Sequence, residues 1–170
     1  MTHTTKPSVG YAYYKDGTLT LNNYSYEGEG YQYSEKGFCA IVYAEQDLTV
    51  ELVGTNTLTQ TAEQQSDVIC AHNLVGDPDL TVDGNGKLIG TADGTGLYST
   101  GNLTINGGTI EVTSYSDSIV ANYALTINGG NVTAISDNTY AIGGGTSLTI
   151  AKDLIIRAST TADGELGEYT

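Results

Sequence analysis

Apolar and polar residues alternate in short runs along this 170-residue chain, and one such run returns at a near-constant spacing. Asn102 to Thr113 reads Asn-Leu-Thr-Ile-Asn-Gly-Gly-Thr-Ile-Glu-Val-Thr, and Ala124 to Ala134 reads Ala-Leu-Thr-Ile-Asn-Gly-Gly-Asn-Val-Thr-Ala. Ser147-Leu148-Thr149-Ile150 opens a third copy, and Leu-Thr-aliphatic anchors recur further back at Leu80, Leu48 and Leu19. The six anchors are separated by 29, 32, 23, 22 and 23 residues. A period of this size marks a solenoid, with insertions confined to the loops of the early units.

Inside a unit the alternation has period 2, which specifies strands and not helices. Leu103 and Ile105 point one way, Thr104 and Asn106 the other. Gly107-Gly108 interrupts the strand, because glycine adopts positive φ at little cost. Ile110 and Val112 form a second inward pair, and a polar corner, Ser114 to Asp117, precedes a third short strand at Ile119. Counterparts of Ile119 stand at Ile41, Ile69, Leu97 and Ile142. Three such strands cannot enclose a core alone, so units must stack with strands in successive units parallel and about 4.8 Å apart.

The expected architecture is therefore all-β: a parallel β-helix of about six coils with three short strands per coil. Its inward columns are Leu19, Leu48, Leu80, Leu103, Leu125, Leu148 and Leu21, Val50, Val82, Ile105, Ile127, Ile150. Asp16-Gly17 between two alternating runs predicts a β-hairpin. That hairpin, within residues 9–24, is expected to cap the first coil. Residues 1–8 read as a tail or remnant and 9–158 as one β-helix domain. The last coil shows no third strand, so 159–170 reads as an extension or the cut end of a longer chain.

Composition narrows the partners. Six Lys and Arg stand against 20 Asp and Glu, a formal net charge of −14, which repels nucleic acid and anionic membranes. The same charge keeps an edge-rich β-protein soluble and attracts divalent cations. No signal peptide and no apolar run long enough to span a bilayer is visible. Cys39 and Cys70 do not form a disulfide framework; aligning Ile41 with Ile69 sets them on opposite faces, about 10 Å apart laterally.

Three groups of residues carry candidate chemistry. Tyr24, Tyr26, Tyr31 and Tyr33 alternate with small and acidic residues, a pattern that suits sugar stacking and equally suits packing within the cap. The outward positions Thr81, Thr104 and Thr126, with Asn106 and Asn128, form a flat strip of hydroxyls and amides, for which β-propensity and Thr–Thr pairing are a sufficient structural reason. Asp77, Asp79 and Asp83 cluster as a candidate calcium site. The sequence from Asp79 copies the first half of a calcium loop but has Gly90 where a bidentate glutamate is required. Asp67, Asp93, Asp117 and Asp137 recur before the third strand, where aspartate usually caps its own turn.

Gly17-Thr-Leu-Thr-Leu-Asn-Asn-Tyr24, Ala40-Ile-Val-Tyr43, Asp47-Leu-Thr-Val50 and the repeated Leu-Thr-Ile-Asn-Gly-Gly resemble carbohydrate-binding-like β-helix modules in large surface proteins of gut Firmicutes. The resemblance covers most of Tyr11 to Arg157. It implies a right-handed parallel β-helix, exported or displayed at the cell surface, without catalysis, binding polysaccharide or a host or cell-surface glycan and in some relatives calcium. It also implies neighbouring domains in a longer chain, and it assigns no ligand-contacting residue. Two alternatives stand beside a glycan-binding or adhesive module. One is a structural spacer. The other is a polysaccharide lyase or glycosidase, which lacks support because Arg157 is the sole arginine and no catalytic signature accompanies it.

Overall fold

The computed structural model describes residues 10–62 and 65–160. The tail expected at 1–8 and positions 161–170 of the expected extension lie outside them. Among the described residues all regular structure is strand, without a helix. The chain opens with β1 (Tyr11–Lys15), β2 (Thr18–Asn22), β3 (Ser25–Gly28), β4 (Tyr31–Gln32) and β5 (Cys39–Ala44). The next rung is β6 (Leu48–Val53), β7 (Thr55–Gln60) and β8 (Asp67–Ala71), followed by β9 (Leu80–Gly84), β10 (Lys87–Ala92) and β11 (Leu97–Ser99). Then come β12 (Leu103–Ile105), β13 (Thr109–Ser114) and β14 (Ile119–Ala121), and β15 (Ala124–Ile127), β16 (Asn131–Ser136) and β17 (Ile142–Gly144). The last pair is β18 (Ser147–Ile150) and β19 (Ile155–Thr160).

From β6 to β17 each rung places one strand in each of three sheets, and β18 and β19 add one more to two of them. Sheet A runs β1-β2-β6-β9-β12-β15-β18, sheet B β19-β16-β13-β10-β7-β3, and sheet C β17-β14-β11-β8-β5-β4. Neighbours are parallel except β1 with β2 and β4 with β5. The expectation of an all-β chain of stacked parallel strands holds, and the arrangement is consistent with a β-solenoid.

The aliphatic columns explain the register. Leu48, Leu80, Leu103, Leu125 and Leu148 are successive partners across sheet A, with Val50, Val82, Ile105, Ile127 and Ile150 beside them. A one-residue slip would turn every member outward, so burial pins the pairing. The first rung departs from expectation by two residues. Leu19 pairs with Val50, Leu21 with Leu52 and Thr20 with Glu51, so the expected matches of Leu19 to Leu48 and Leu21 to Val50 are corrected. A two-residue shift keeps the parity, so aliphatic identity alone cannot see it.

Val50, Val82, Ile105 and Ile127 have no solvent exposure. Burying each such side chain stabilises the fold by roughly 1.5–3 kcal/mol. Sheets B and C add Leu88, Ile110 and Val132, and Ile69, Leu97 and Ile119, to one continuous core cluster. At the far end of sheet A, Leu148 and Ile150 remain 47% and 43% exposed.

The hairpin forms where expected but does not close the first rung. Asp16 and Gly17 both take positive φ (48° and 81°), as a two-residue turn joining twisted strands requires. This turn aligns β1 with β2 residue for residue, from Tyr11 opposite Asn22 to Lys15 opposite Thr18, and holds it in the plane of sheet A. The end beside it is a hollow of about 900 Å³ bordered by Leu19, Leu21, Ile41 and Val42 among others. The expected cap is therefore an extension of the sheet edge.

Corners repeat as strictly as strands. Between sheets C and A, Asp47 Oδ1 accepts the Asp79 N–H (2.9 Å), Asp79 Oδ1 accepts that of Asn102 (2.7 Å), and Asn102 Oδ1 accepts that of Ala124 (3.2 Å). Each side chain satisfies a backbone donor of the following rung. Inside the second rung, the wholly buried Asn56 satisfies three backbone groups: it accepts from the Tyr24 N–H and donates to the carbonyls of Val53 and Lys87.

Candidate functional site

The outer face of sheet A carries the Thr and Asn strip. Thr81, Thr104 and Thr126 are successive partners, continued by Thr149, and Thr18 opposes Thr49, so Thr18 occupies the place expected for Thr20. Asn106 and Asn128 stack with the Asn128 amide donating to Asn106 Oδ1 at 3.0 Å. The structure thus brings together all five predicted residues of the strip. They form a flat, half-exposed array whose amides are already paired with one another.

The four predicted tyrosines are divided. Tyr24 and Tyr26 pack against the core and border the N-terminal hollow, and the Tyr26 hydroxyl accepts the Gly30 N–H. Tyr31, 61% exposed, lies 5.6 Å from the Tyr43 ring. Tyr33 belongs elsewhere: it stacks on Tyr43 with centroids 4.8 Å apart and planes within 4°.

Asp77, Asp79 and Asp83 have separate structural partners. Asp77 accepts the Tyr123 hydroxyl, Asp79 accepts the backbone and side-chain amides of Asn102, and Asp83 accepts the Gly84 N–H. Leu80 to Gly84 is strand β9, so the segment from Asp79 does not form a calcium loop. Among the described residues no three His, Cys, Asp or Glu side chains are grouped to hold a metal.

The outer face of sheet C has a different character. Its outward column is Tyr43, Cys70, Tyr98, Val120 and Gly143. The expected match of Ile41 to Ile69 is corrected to Val42 with Ile69, an offset that holds from Ala40 opposite Asp67 to Ala44 opposite Ala71. Cys39 and Cys70 are both free and buried. Cys70 points outward yet is fully buried, because Tyr33 and Asp67 lie against its thiol.

Beside this column runs a groove of about 430 Å³. Tyr33, Phe38 and Tyr98 give it aromatic surface, Thr95, Asn122 and Thr139 hydroxyl and amide groups, and Asp67 and Asp117 carboxylates. Ring contacts continue from Tyr33 to His72 (6.0 Å) and from His72 to Tyr98 (6.4 Å). The Tyr98 hydroxyl donates to Asn122 Oδ1 at 3.3 Å. Asp67 Oδ1 accepts the Thr95 N–H at 2.9 Å, and its Oδ2 accepts the Tyr33 hydroxyl at 3.0 Å. Asp117 repeats the device two corners further on, accepting the Tyr140 N–H and the Thr139 hydroxyl. Asp67 and Asp117 therefore cap the next rung and not their own turn.

Burial raises the Asp67 carboxyl above its ordinary 3.8, against the hydrogen bonds from Thr95 and Tyr33 that favour the charged form. Burial, followed by the charge of Asp67, pushes the Tyr33 hydroxyl well up, so it remains a donor. Burial likewise raises the Cys70 thiol, which stays neutral.

The model of the family described as carbohydrate-binding domain-containing protein matches residues 34–155. The chain belongs to this family. No curated protein and no solved structure matches it. The segment matching the carbohydrate-binding domain contains every groove residue named above except Tyr33, and leaves Tyr24, Tyr26 and Tyr31 outside. Sequence reading missed Tyr98, Asn122 and Thr139 as a set. A signal for Tyr98 was present: it stands one place after Leu97, on the outward parity of the third strand, where its counterparts are Tyr43, Cys70, Val120 and Gly143.

Proposed function

We propose that this carbohydrate-binding domain is a non-catalytic module that holds a glycan in the groove on sheet C. The observation that carries the reading is the concave meeting of Tyr33 and Tyr98 with Asn122, Thr95 and Thr139. Sugar rings present apolar C–H faces that pack on aromatic rings and hydroxyls that exchange hydrogen bonds with amides and carboxylates. The sheet A strip offers hydroxyls without an aromatic platform or concavity, and its Thr ladder serves strand pairing. Asp67 and Asp117 are committed to backbone donors of neighbouring rungs, which supports a binding role over acid/base chemistry.

The three sheets are read as the faces of a right-handed parallel β-helix, the hand that parallel crossovers adopt almost without exception. A domain of this family is typically extracellular, and surface display as an adhesin or within a larger chain follows from that reading. No described helix is long and apolar enough to cross a membrane.

Titration of the intact chain against a panel of polysaccharides, followed by calorimetry and with calcium or a chelator present, tests the reading. Binding that Tyr98→Ala weakens about tenfold, roughly 1.4 kcal/mol, is the expected result. Binding indifferent to Tyr98 and Asn122 would move the site elsewhere, and turnover of the polymer would replace a binding module with an enzyme.

A further inference from the structure

The groove's charge and direction define its ligand more closely. We infer that it selects an uncharged glycan chain, rejects uronate or sulfate polymers, and holds the chain lengthwise across successive rungs with about one sugar per rung. This rests on the reading of the groove as the glycan site.

Charge gives the first half. Among the described residues the groove is lined by Asp67 and Asp117 and by no lysine or arginine. None of the described lysines and arginine lines the groove, Lys36 standing nearest in sequence, between the lining residues Tyr33 and Phe38. Lys87 pairs with Glu111 on sheet B at 2.7 Å, Lys15 stands beside Asp16 in the hairpin turn, and Arg157 lies in β19 of sheet B. Lys152 lies in the turn between β18 and β19, and Lys36 in the turn between β4 and β5, next to Glu35. Recognition of a carboxylate or sulfate uses charge-assisted donors, bidentate arginine above all. Here an anionic sugar would meet two partly or wholly buried carboxylates on a chain of net charge −14. An uncharged sugar meets aromatic faces, Thr95, Asn122 and Thr139 without that penalty.

Direction gives the second half. Beyond Tyr33 and Phe38 of the β4–β5 turn, the lining comes from four successive rungs: Asp67 from that of β6 to β8, Thr95 and Tyr98 from that of β9 to β11, Asp117 and Asn122 from that of β12 to β14, and Thr139 from that of β15 to β17. Rungs are about 4.8 Å apart, so the lining extends roughly 14 Å along the stacking axis. That spacing is close to the rise of one pyranose in an extended chain. A chain laid along the axis therefore meets a new corner at each sugar, whereas one laid across it would leave the groove after a single ring.

The test is a calorimetric titration of the whole chain with uncharged oligosaccharides from disaccharide to hexasaccharide, and with oligouronates of the same lengths, each in chelator and again in calcium. Affinity for the uncharged series should rise up to about four sugars and then level off, in step with the rungs. Oligouronates in chelator should bind at least about tenfold more weakly, a gap that narrows as salt screens the carboxylates. Val120→Lys sets an ammonium on the groove wall and should narrow the same gap; Gln65→Lys, at an exposed position of the lining, repeats the test should the first variant lose its fold by circular dichroism. Oligouronates binding as tightly as uncharged chains in chelator, or affinity already complete at the disaccharide, would overturn the inference and leave the glycan reading standing. Silence with every sugar would take down the groove as a glycan site, and this inference with it.

Discussion

Sheets A and C belong to the same stack, share its strand spacing, and have outer faces that could hardly differ more. On sheet A one outward column is threonine in every rung, from Thr18 and Thr49 to Thr149, Asn128 stacks on Asn106 beside it, and corner oxygens cap the next backbone. On sheet C the outward column changes at every rung, from Tyr43 to Cys70, Tyr98, Val120 and Gly143, and the corners rise beside it to make a groove. Regularity on one face is what stacking demands. Irregularity on the other is where a ligand finds a shape, since a surface that repeats every 4.8 Å or so has no concavity to offer.

The sharpest way to break the comparison is to damage what both faces share. Ile105→Ala removes a fully buried side chain from the middle of the inner column, and urea denaturation should show a loss of about 2–5 kcal/mol. The same truncation at Leu148, nearly half exposed, should cost clearly less. Equal losses at the two sites would mean that the columns do not taper in burial toward the end of the stack.

Next in size is the contrast between faces. Tyr98→Ala should lower glycan affinity about tenfold with little change in the unfolding midpoint, while Thr126→Ala on sheet A should leave affinity unchanged. If Thr126→Ala weakens binding as much, the flat strip is the site.

Asp67 sharpens the comparison through pH. Its folded carboxyl titrates above the unfolded value of 3.8, so the folded state holds the proton more tightly. The stability this provides is fully present below 3.8 and is lost as pH rises through the folded value. Asp67→Asn keeps an acceptor for the Thr95 N–H and removes the buried charge. Wild type should therefore be most stable relative to Asp67→Asn in acid, and the difference should decline toward neutral pH in urea melts. A difference that grows with pH would mean that the hydrogen bonds from Tyr33 and Thr95 outweigh desolvation.

The smallest expected effect is on the regular face. Asn128→Ala removes one exposed hydrogen bond to Asn106 and should cost about 0.5–1 kcal/mol, without change in binding. A larger loss would make the Asn ladder a principal support of the stack.

The chain itself determined the strands, the columns and the period, because burial on one parity forces Leu103, Leu125 and Leu148 into line whatever happens in the loops. It determined Asp16-Gly17 as a tight turn, since both residues must accept positive φ. It did not determine the two-residue offset of the first rung or the one-residue shift at Val42, because aliphatic residues fit either position. Only the tertiary structure separated Tyr33 from Tyr24 and Tyr26, tied Asp79 to Asn102, and gathered Asp67, Tyr98, Asn122 and Thr139 from four rungs into one groove. These residues lie up to 72 positions apart in the sequence, and what joins them is the stacking distance between rungs, which no local pattern of side chains encodes.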